Sequence, residues 1–584
     1  MAKQKKTESE FSPDKSTPRE LVVVAKRDAG MRTAGGDVFS TAEKDTTKLQ
    51  ALMTDEAFTL TPLFGQSEDA LLMQLQSENN SSEEDTNMHL YYHVEAPDEK
   101  LETIQKKLLK NDMIDGAYIK PKGEPPIAPD ADMSPPENME FFSTSDDGAP
   151  ATPPDFRNRQ IYLNAAPAGI DARYAWTKSG GRGKNVRIID LEWGWEFNHV
   201  DLKQNQGGLL SGTNATSTDH GTAVLGEYSG DISSLGIEGI CPEAWAAAVA
   251  FSQPSARAIR IAADRLRPGD IMLLEIHRAG PRHNFQARND QSGYIAVEWW
   301  PDDYEAIRYA VNKGVIVVEA AGNGGQDFDD AIYDTKPSGF PSWWKNPFNR
   351  NTLDSGAVLV GAGAPPPGTH GRNHGTDRSR LSFSNYGAAV DCQAWGREVT
   401  TTGYGDLWRD PSDLNNKDKW FTDTFSGTSS ASPIVVGALG CVQGYLRARG
   451  RVPLTPARAR ALLRSTGSPQ QSTSGRPATQ RIGNRPNLRQ MIREVSKNRT
   501  FTGAQFNKTL AANQTMRFFT HSWPAHWHVL WTVVPTTTGN SGAQIKYDVQ
   551  VQRKSDKHIT YFIKVTNLTN QPVGIQGRYG VLGW

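Results

Sequence analysis

Residues 425–433, Phe-Ser-Gly-Thr-Ser-Ser-Ala-Ser-Pro, run into the small apolar helical pattern Ile434-Val435-Val436-Gly437-Ala438-Leu439. At that junction of loop and helix, Ser429 would have backbone N–H groups aimed at any oxyanion formed beside it. Pro433 suits the first helical turn, where its missing N–H would have gone without a partner. Three other segments carry what a serine hydroxyl lacks. Asp190 closes the apolar run Val186-Arg187-Ile188-Ile189, and His220 opens His220-Gly221-Thr222-Ala223-Val224. Asn323 lies in Ala320-Ala321-Gly322-Asn323-Gly324-Gly325 after the strand-like Val315–Val318. An imidazole must take the serine proton, and a carboxylate must hold its tautomer and stabilise its cation. An Asn amide and the Ser429 N–H could together hold the developing oxyanion. A Gly-Thr-Ser alone is a turn and a His-Gly-Thr alone a helix entry; the four segments in one order carry the chemical reading.

These segments resemble those of the subtilisin-like serine peptidases, the subtilases, in wording and in the order Asp, His, Ser. His199-Val200-Asp201-Leu202 resembles the family's His-Pro-Asp-Leu, and Gly239-Ile240-Cys241-Pro242 its Gly-Val-Ala-Pro. Ser382-Phe383-Ser384-Asn385-Tyr386-Gly387 resembles its Ser-Phe-Ser-x-x-Gly, and the likeness spans about residues 155 to 490. It implies a serine endopeptidase acting on proteins or peptides, with Ser429 as nucleophile, His220 as general base and acid, Asp190 as orienting carboxylate and Asn323 as oxyanion donor. It implies no cofactor for catalysis; structural calcium is common in the family, but no carboxylate loop here is specific enough to assign. The chain departs from the pattern after Asp190, where Leu191-Glu192-Trp193-Gly194 replaces the family's Ser or Thr followed by Gly.

The family's cleft pairs substrate backbone with a Ser-Leu-Gly segment, and Leu274-Glu275-Ile276-His277 stands in the matching place; Glu275, Ile276, His277, Ala320, Ala321 and Gly322 are the expected substrate-binding residues. With Glu319 on the neighbouring strand, Glu275 is expected to border the pocket for the residue before the scissile bond and to favour Lys or Arg there. Pairing of Glu275 with His277 is the competing expectation.

A chain of 584 residues is too long for one core, so two or three domains are expected. A net charge of −1 offers no electrostatic case for nucleic acid. No stretch has the apolar length of a membrane span, and Met1–Glu10 lacks the hydrophobic core of a secretory signal. Cys241, Cys392 and Cys441 are too few and too scattered for a disulfide framework. Residence in the cytoplasm, or export by a non-Sec route, is the expectation.

The expected fold is α/β: a parallel-sheet subtilisin-like domain, preceded by a small α+β propeptide-like domain and followed by an antiparallel, sandwich-like β domain. Residues 1–18 are polar and expected to be disordered. Residues 19–121 carry strand-like 20–25 and 88–94, a helical pattern over 97–109 and a strand over 116–121. Before a subtilase domain this unit resembles the family's intramolecular inhibitor, whose tail enters the cleft. Residues 122–154, rich in Pro, Asp and Ser, read as a linker with the processing site. In 155–499, nearly continuous apolar strands alternate with helices, the pattern of a parallel sheet covered on both faces, with ligands at the strand C-terminal ends. Residues 500–584 alternate with period two, as in hairpins. The alternative function is a catalytically silent subtilase-fold binding scaffold; the retention of all four residue types argues against it. The absence of Gly-x-Ser-x-Gly around Ser429 argues against an ester hydrolase.

Overall fold

The computed structural model describes residues 16–78, 87–128, 152–497, 500–525, 527–539, 542–555 and 558–582. Residues 1–15, most of the expected linker (129–151) and His526 lie outside the described residues. Two compact units result, one through Ile492 and one from Arg493.

The first unit begins with an antiparallel sheet of β1 (Glu20–Ala25), β2 (Thr59–Pro62), β3 (Tyr91–Glu95) and β4 (Ile114–Lys120), in the order β2-β3-β1-β4. Period two divides the apolar run of β1. Leu21, Val23 and Ala25 pack with helices α1 (Thr47–Glu56) and α2 (Leu101–Leu108), while Val22 and Val24 join the main core of the unit. Both faces of β1 are therefore buried, which is why it reads as unbroken hydrophobic sequence. Residues 88–90, expected to begin a strand, form a 3-10 turn, and β3 starts at Tyr91.

A short strand β5 (Gly123–Glu124) follows, then the parallel sheet. Its strands are β6 (Arg187–Glu192), β7 (Gln206–Ser211), β8 (Trp245–Ala250), β9 (Ile271–Leu274), β12 (Ile316–Ala320), β13 (Val358–Gly363) and β14 (Val390–Trp395), with β10 (His277–Ala279) and β11 (Tyr294–Ala296) lying outside it. The order is β14-β13-β12-β9-β6-β8-β7, and every pairing is parallel. Helices α3 (Asp219–Ser229), α4 (Ser255–Arg265), α5 (Pro301–Asn312) and α6 (Thr428–Arg447) accompany it. Cys241, Cys392 and Cys441 are buried free thiols.

A buried ionic cluster joins the N-terminal sheet to the rest of this unit. Lys120 Nζ, at the end of β4, lies 2.6 Å from Asp302 and 2.8 Å from Asp303 at the start of α5, with no exposure of any of the three. Arg278 of β10 binds Glu20 at 2.7 Å. Burying charge costs heavily unless each ion keeps its partners. Lys120→Ala would strand two carboxylates, so a loss of about 3–5 kcal/mol is expected. Thermal unfolding checks this; an unchanged midpoint would show that the cluster does not hold residues 20–120 in place.

The second unit comprises β15 (Thr500–Leu510), β16 (Thr515–Pro524), β17 (Val529–Pro535), β18 (Ile545–Ser555), β19 (His558–Asn567) and β20 (Val573–Leu582). Two antiparallel sheets, β15-β20-β17 and β16-β19-β18, enclose Leu510, Val533, Ile563, Val565, Val573 and Ile575. Trp523 meets Trp531, Tyr561 and Tyr579 edge to face. Among the described residues, no helix is long and apolar enough to cross a membrane.

Candidate active site

The site lies at the C-terminal ends of β6, β9 and β12, neighbours in the middle of the parallel sheet. Ser429 is the second residue of α6 and is fully buried. Gly427 before it has φ +108°, and a Cβ there would stand 2.1 Å from the Pro126 carbonyl oxygen, so glycine is required on both counts. Because α6 begins at Thr428, Pro433 is its sixth residue. It lies beyond the first-turn position expected from sequence, and the Ser429 carbonyl loses its helical N–H donor.

His220, second in α3, has Nδ1 2.5 Å from Glu192 Oε1. The carboxylate on the imidazole is therefore Glu192, which corrects the expectation of Asp190. Asp190 Oδ2 instead accepts from Trp195 Nε1 at 2.7 Å. The two acids are two apart on β6, so they share a face, and the one nearer the strand end reaches α3. A signal was present: the glycine that should follow two residues after the carboxylate is Gly194, which counts from Glu192.

Asn323 follows β12. Its Oδ1 accepts from Thr428 N at 3.0 Å and Thr428 Oγ1 at 2.9 Å, which assigns the amide orientation. Its Nδ2 donates to Gln291 Oε1 at 3.3 Å. Ala320 ends β12, Ala321 N donates to Val360 O, and Gly322 N donates to Thr428 Oγ1 at 3.2 Å. Sequence reasoning missed Thr428 and Gln291, which act through contacts with no fixed spacing.

Among the described residues, no Lys or Arg pairs with Asp190, Glu192 or Glu275. Burial pushes Asp190, Glu192 and Glu275 well above the usual carboxylate range, and Glu192 raises the other two further. Glu275, expected to border the pocket for the residue before the scissile bond, turns its carboxyl toward α6. It has no exposure, and its Oε1 contacts Ser432 Oγ. Glu319 is equally buried and accepts from Glu298 N at 3.1 Å. Leu274, not Glu275, is in register with Glu319, so the two glutamates point to opposite faces. His277 does not pair with Glu275; its Nδ1 meets Asn323 N at 3.3 Å, and burial lowers it to about 3.

Residues 123–128 run through the site. β5 adds antiparallel to β10, with Glu124 opposite His277 and Gly123 opposite Arg278, while β11 flanks the other edge. Ile276 covers Gly123. Tyr294 OH lies 3.1 Å from Glu124 Oε1, and burial lifts Glu124 to about 7. Pro125 and Ile127 line a pocket with Glu192, Ser217, His220 and Tyr404. Ala128 is buried against Ala362, Ala364, Leu381 and Phe383. Among the described residues, no group of His, Cys, Asp or Glu is arranged to hold a metal ion.

A family model described as the subtilase family matches residues 145–484, more than half of the chain. The major intracellular serine protease of Bacillus subtilis (strain 168) is 28% identical over 310 residues, covering 50% of this chain and 80% of its own. Thermitase of Thermoactinomyces vulgaris is 28% identical over 320 residues, covering 51% and 85%. Among solved structures, the prenylagaramide maturation protease PagA aligns over 56% of this chain and 98% of its own, at 18% identity and a TM-score of 0.37.

Proposed function

This chain belongs to the subtilase family and is a serine-type peptidase, and from that premise we propose that Ser429, His220, Glu192 and Asn323 together hydrolyse peptide bonds within protein or peptide chains. The observation that carries the reading is the 2.5 Å contact of His220 Nδ1 with Glu192 Oε1 beside a serine at a helix N-terminus, with a stretch of peptide lying along the same cleft.

With Nδ1 held by Glu192, the imidazole has Nε2 for the Ser429 proton. Oγ attacks the peptide carbonyl carbon as its proton passes to Nε2, and the resulting imidazolium faces the Glu192 carboxylate. That new positive charge offsets the cost that burial places on the Glu192 carboxylate. The negative oxygen of the tetrahedral species takes hydrogen bonds from the Ser429 N–H and Asn323 Nδ2, the latter exchanging Gln291 for the oxyanion. Nε2 then protonates the leaving amine, and water, activated by the same nitrogen, releases the acyl group.

Asn323→Ala is expected to slow acylation by about 3 kcal/mol, a magnitude measured in a subtilisin. Most of the loss should be in kcat; a loss mainly in KM would contradict the oxyanion role.

The same reading makes residues 20–128 an intramolecular inhibitor. β5 occupies the edge of β10 that a substrate strand would use, and Pro125 and Ile127 sit beside His220. The expected cut lies between about residues 120 and 154, where the Pro-rich segment can reach the cleft without unfolding the sheet. Mass spectrometry of the wild-type protein checks this; an intact N-terminus together with full activity would remove the inhibitory role. Reaction with a fluorophosphonate, with the adduct mapped to residues 425–433, tests the peptidase reading itself. An adduct elsewhere, or none in protein cut free of its N-terminal segment, would overturn it.

A further inference from the structure

Glu275 is a fully buried acid that the chemistry above does not use. Asp190 and Glu192 face it from β6, Glu227 and Tyr228 from α3, and Ser429 and Ser432 from α6. None of these is a cation. Glu275 Oε1 contacts Ser432 Oγ, which also lies 2.8 Å from the Thr428 carbonyl. Glu275 Oε2 is buried with no hydrogen-bond partner.

Ser432 Oγ meets both Glu275 Oε1 and Thr428 O and cannot donate to both. The Ser432 hydroxyl carries one proton, and Thr428 O can only accept. If Ser432 donates to Thr428, its contact with Glu275 is a hydrogen bond only when the glutamate supplies the proton. An anion would also leave Oε2 buried and bare, at a cost of several kcal/mol. The clamp has a purpose in this helix. Pro433 removes the donor for the Ser429 carbonyl, so the backbone ladder is interrupted at the residue bearing the nucleophile.

We propose that Glu275 is a positioning residue for Ser429: as a neutral acid it donates to Ser432 Oγ and holds the first turns of α6, and it fails in this role once ionised. Burial and the neighbouring Glu192 keep the acid form stable well above the usual carboxylate range. The sign follows: the clamp is intact at low and neutral pH and is lost as pH rises through the raised value. Ionisation also places a second negative charge beside Glu192. Turnover is therefore expected to decline on the alkaline side.

The inference rests on Ser429 as nucleophile, and the test separates the two. The pH dependence of kcat and KM is measured for the wild type, Glu275→Gln, Glu275→Ala and Ser432→Ala, with the N-terminal segment removed by cleavage. Loss of the clamp in Glu275→Ala should lower kcat by about tenfold to hundredfold, as small misplacements of reacting groups do, with KM little changed. Glu275→Gln, still able to donate, should recover most of that loss and abolish the alkaline decline. Ser432→Ala removes the clamp at every pH and should lower kcat as Glu275→Ala does; with no acceptor for the acid proton, the decline that remains, from charge beside Glu192, should move to lower pH. A Glu275→Gln profile that retains the decline, or a Ser432→Ala decline moved to higher pH, overturns the proposal. Should no variant hydrolyse peptide, the infrared carbonyl band of a neutral carboxylic acid still decides the protonation state: at neutral pH, one such band must disappear between wild type and Glu275→Gln, and its persistence overturns the proposal.

Discussion

Ser429→Ala is expected to reduce turnover by about a million-fold, the size of effect seen when the nucleophile of a subtilisin is removed. Without the hydroxyl no acyl-enzyme forms, and His220 has no oxygen to activate. The residual rate, about a thousandfold or more above water, should come from substrate binding and the oxyanion donors. Folding should be untouched. Ser429 Oγ is buried and makes no hydrogen bond of good geometry, so its removal should cost little stability. The variant should take up no fluorophosphonate and should remain full length if the N-terminal segment is cut by the protein's own site. Hydrolysis that persists in purified Ser429→Ala would move the chemistry to another residue.

The second expectation separates two acids that lie two residues apart. Glu192→Gln should lower kcat by about ten-thousandfold, the size of effect found when the orienting carboxylate of a serine protease triad becomes an amide. The glutamine amide can donate to Nδ1 where the carboxylate only accepted. The imidazole proton then sits on Nε2, and the atom that should receive the serine proton already carries one. Asp190→Asn should cost no more than about fivefold, because its Oδ2 accepts from the Trp195 indole and not from His220, and an asparagine oxygen can accept the same bond. Removing one acid from beside Glu192 should also relieve repulsion, which a higher melting temperature on the alkaline side would register. The sign is that of raised carboxyls: they favour the folded state while protonated and lose that contribution as pH rises through their folded values. Steady-state kinetics on both variants decide the matter. If Asp190→Asn loses as much as Glu192→Gln, the Glu192 assignment falls.

Several features of this protein were legible one residue at a time. The parallel sheet follows from strands such as Ile271–Leu274, apolar at every position, and Ile316–Ala320, apolar except at the buried Glu319, because both faces are covered. The placements of Ser429, His220 and Asn323 were readable because each depends on local backbone: a helix start for the first two, and a strand end with a Gly-rich turn for the third. What depends on register was not readable. Whether Asp190 or Glu192 meets His220 turns on how far β6 runs before α3 crosses its end, and the alternation of side chains puts both acids on the correct face. Glu275 and Glu319 looked like partners across neighbouring strands; the actual pairing of Leu274 with Glu319 sends them to opposite faces. The contacts of Glu275 with Ser432, of Asn323 with Thr428 and of Lys120 with Asp302 span 157, 105 and 182 residues. The sequence by itself determined which groups could do chemistry and at which strand or helix ends they stand. Which carboxylate faces the imidazole, and which acids are buried out of reach, was decided only when the chain closed, because hydrogen bonds and desolvation act over a few ångströms in space and have no fixed spacing along the chain.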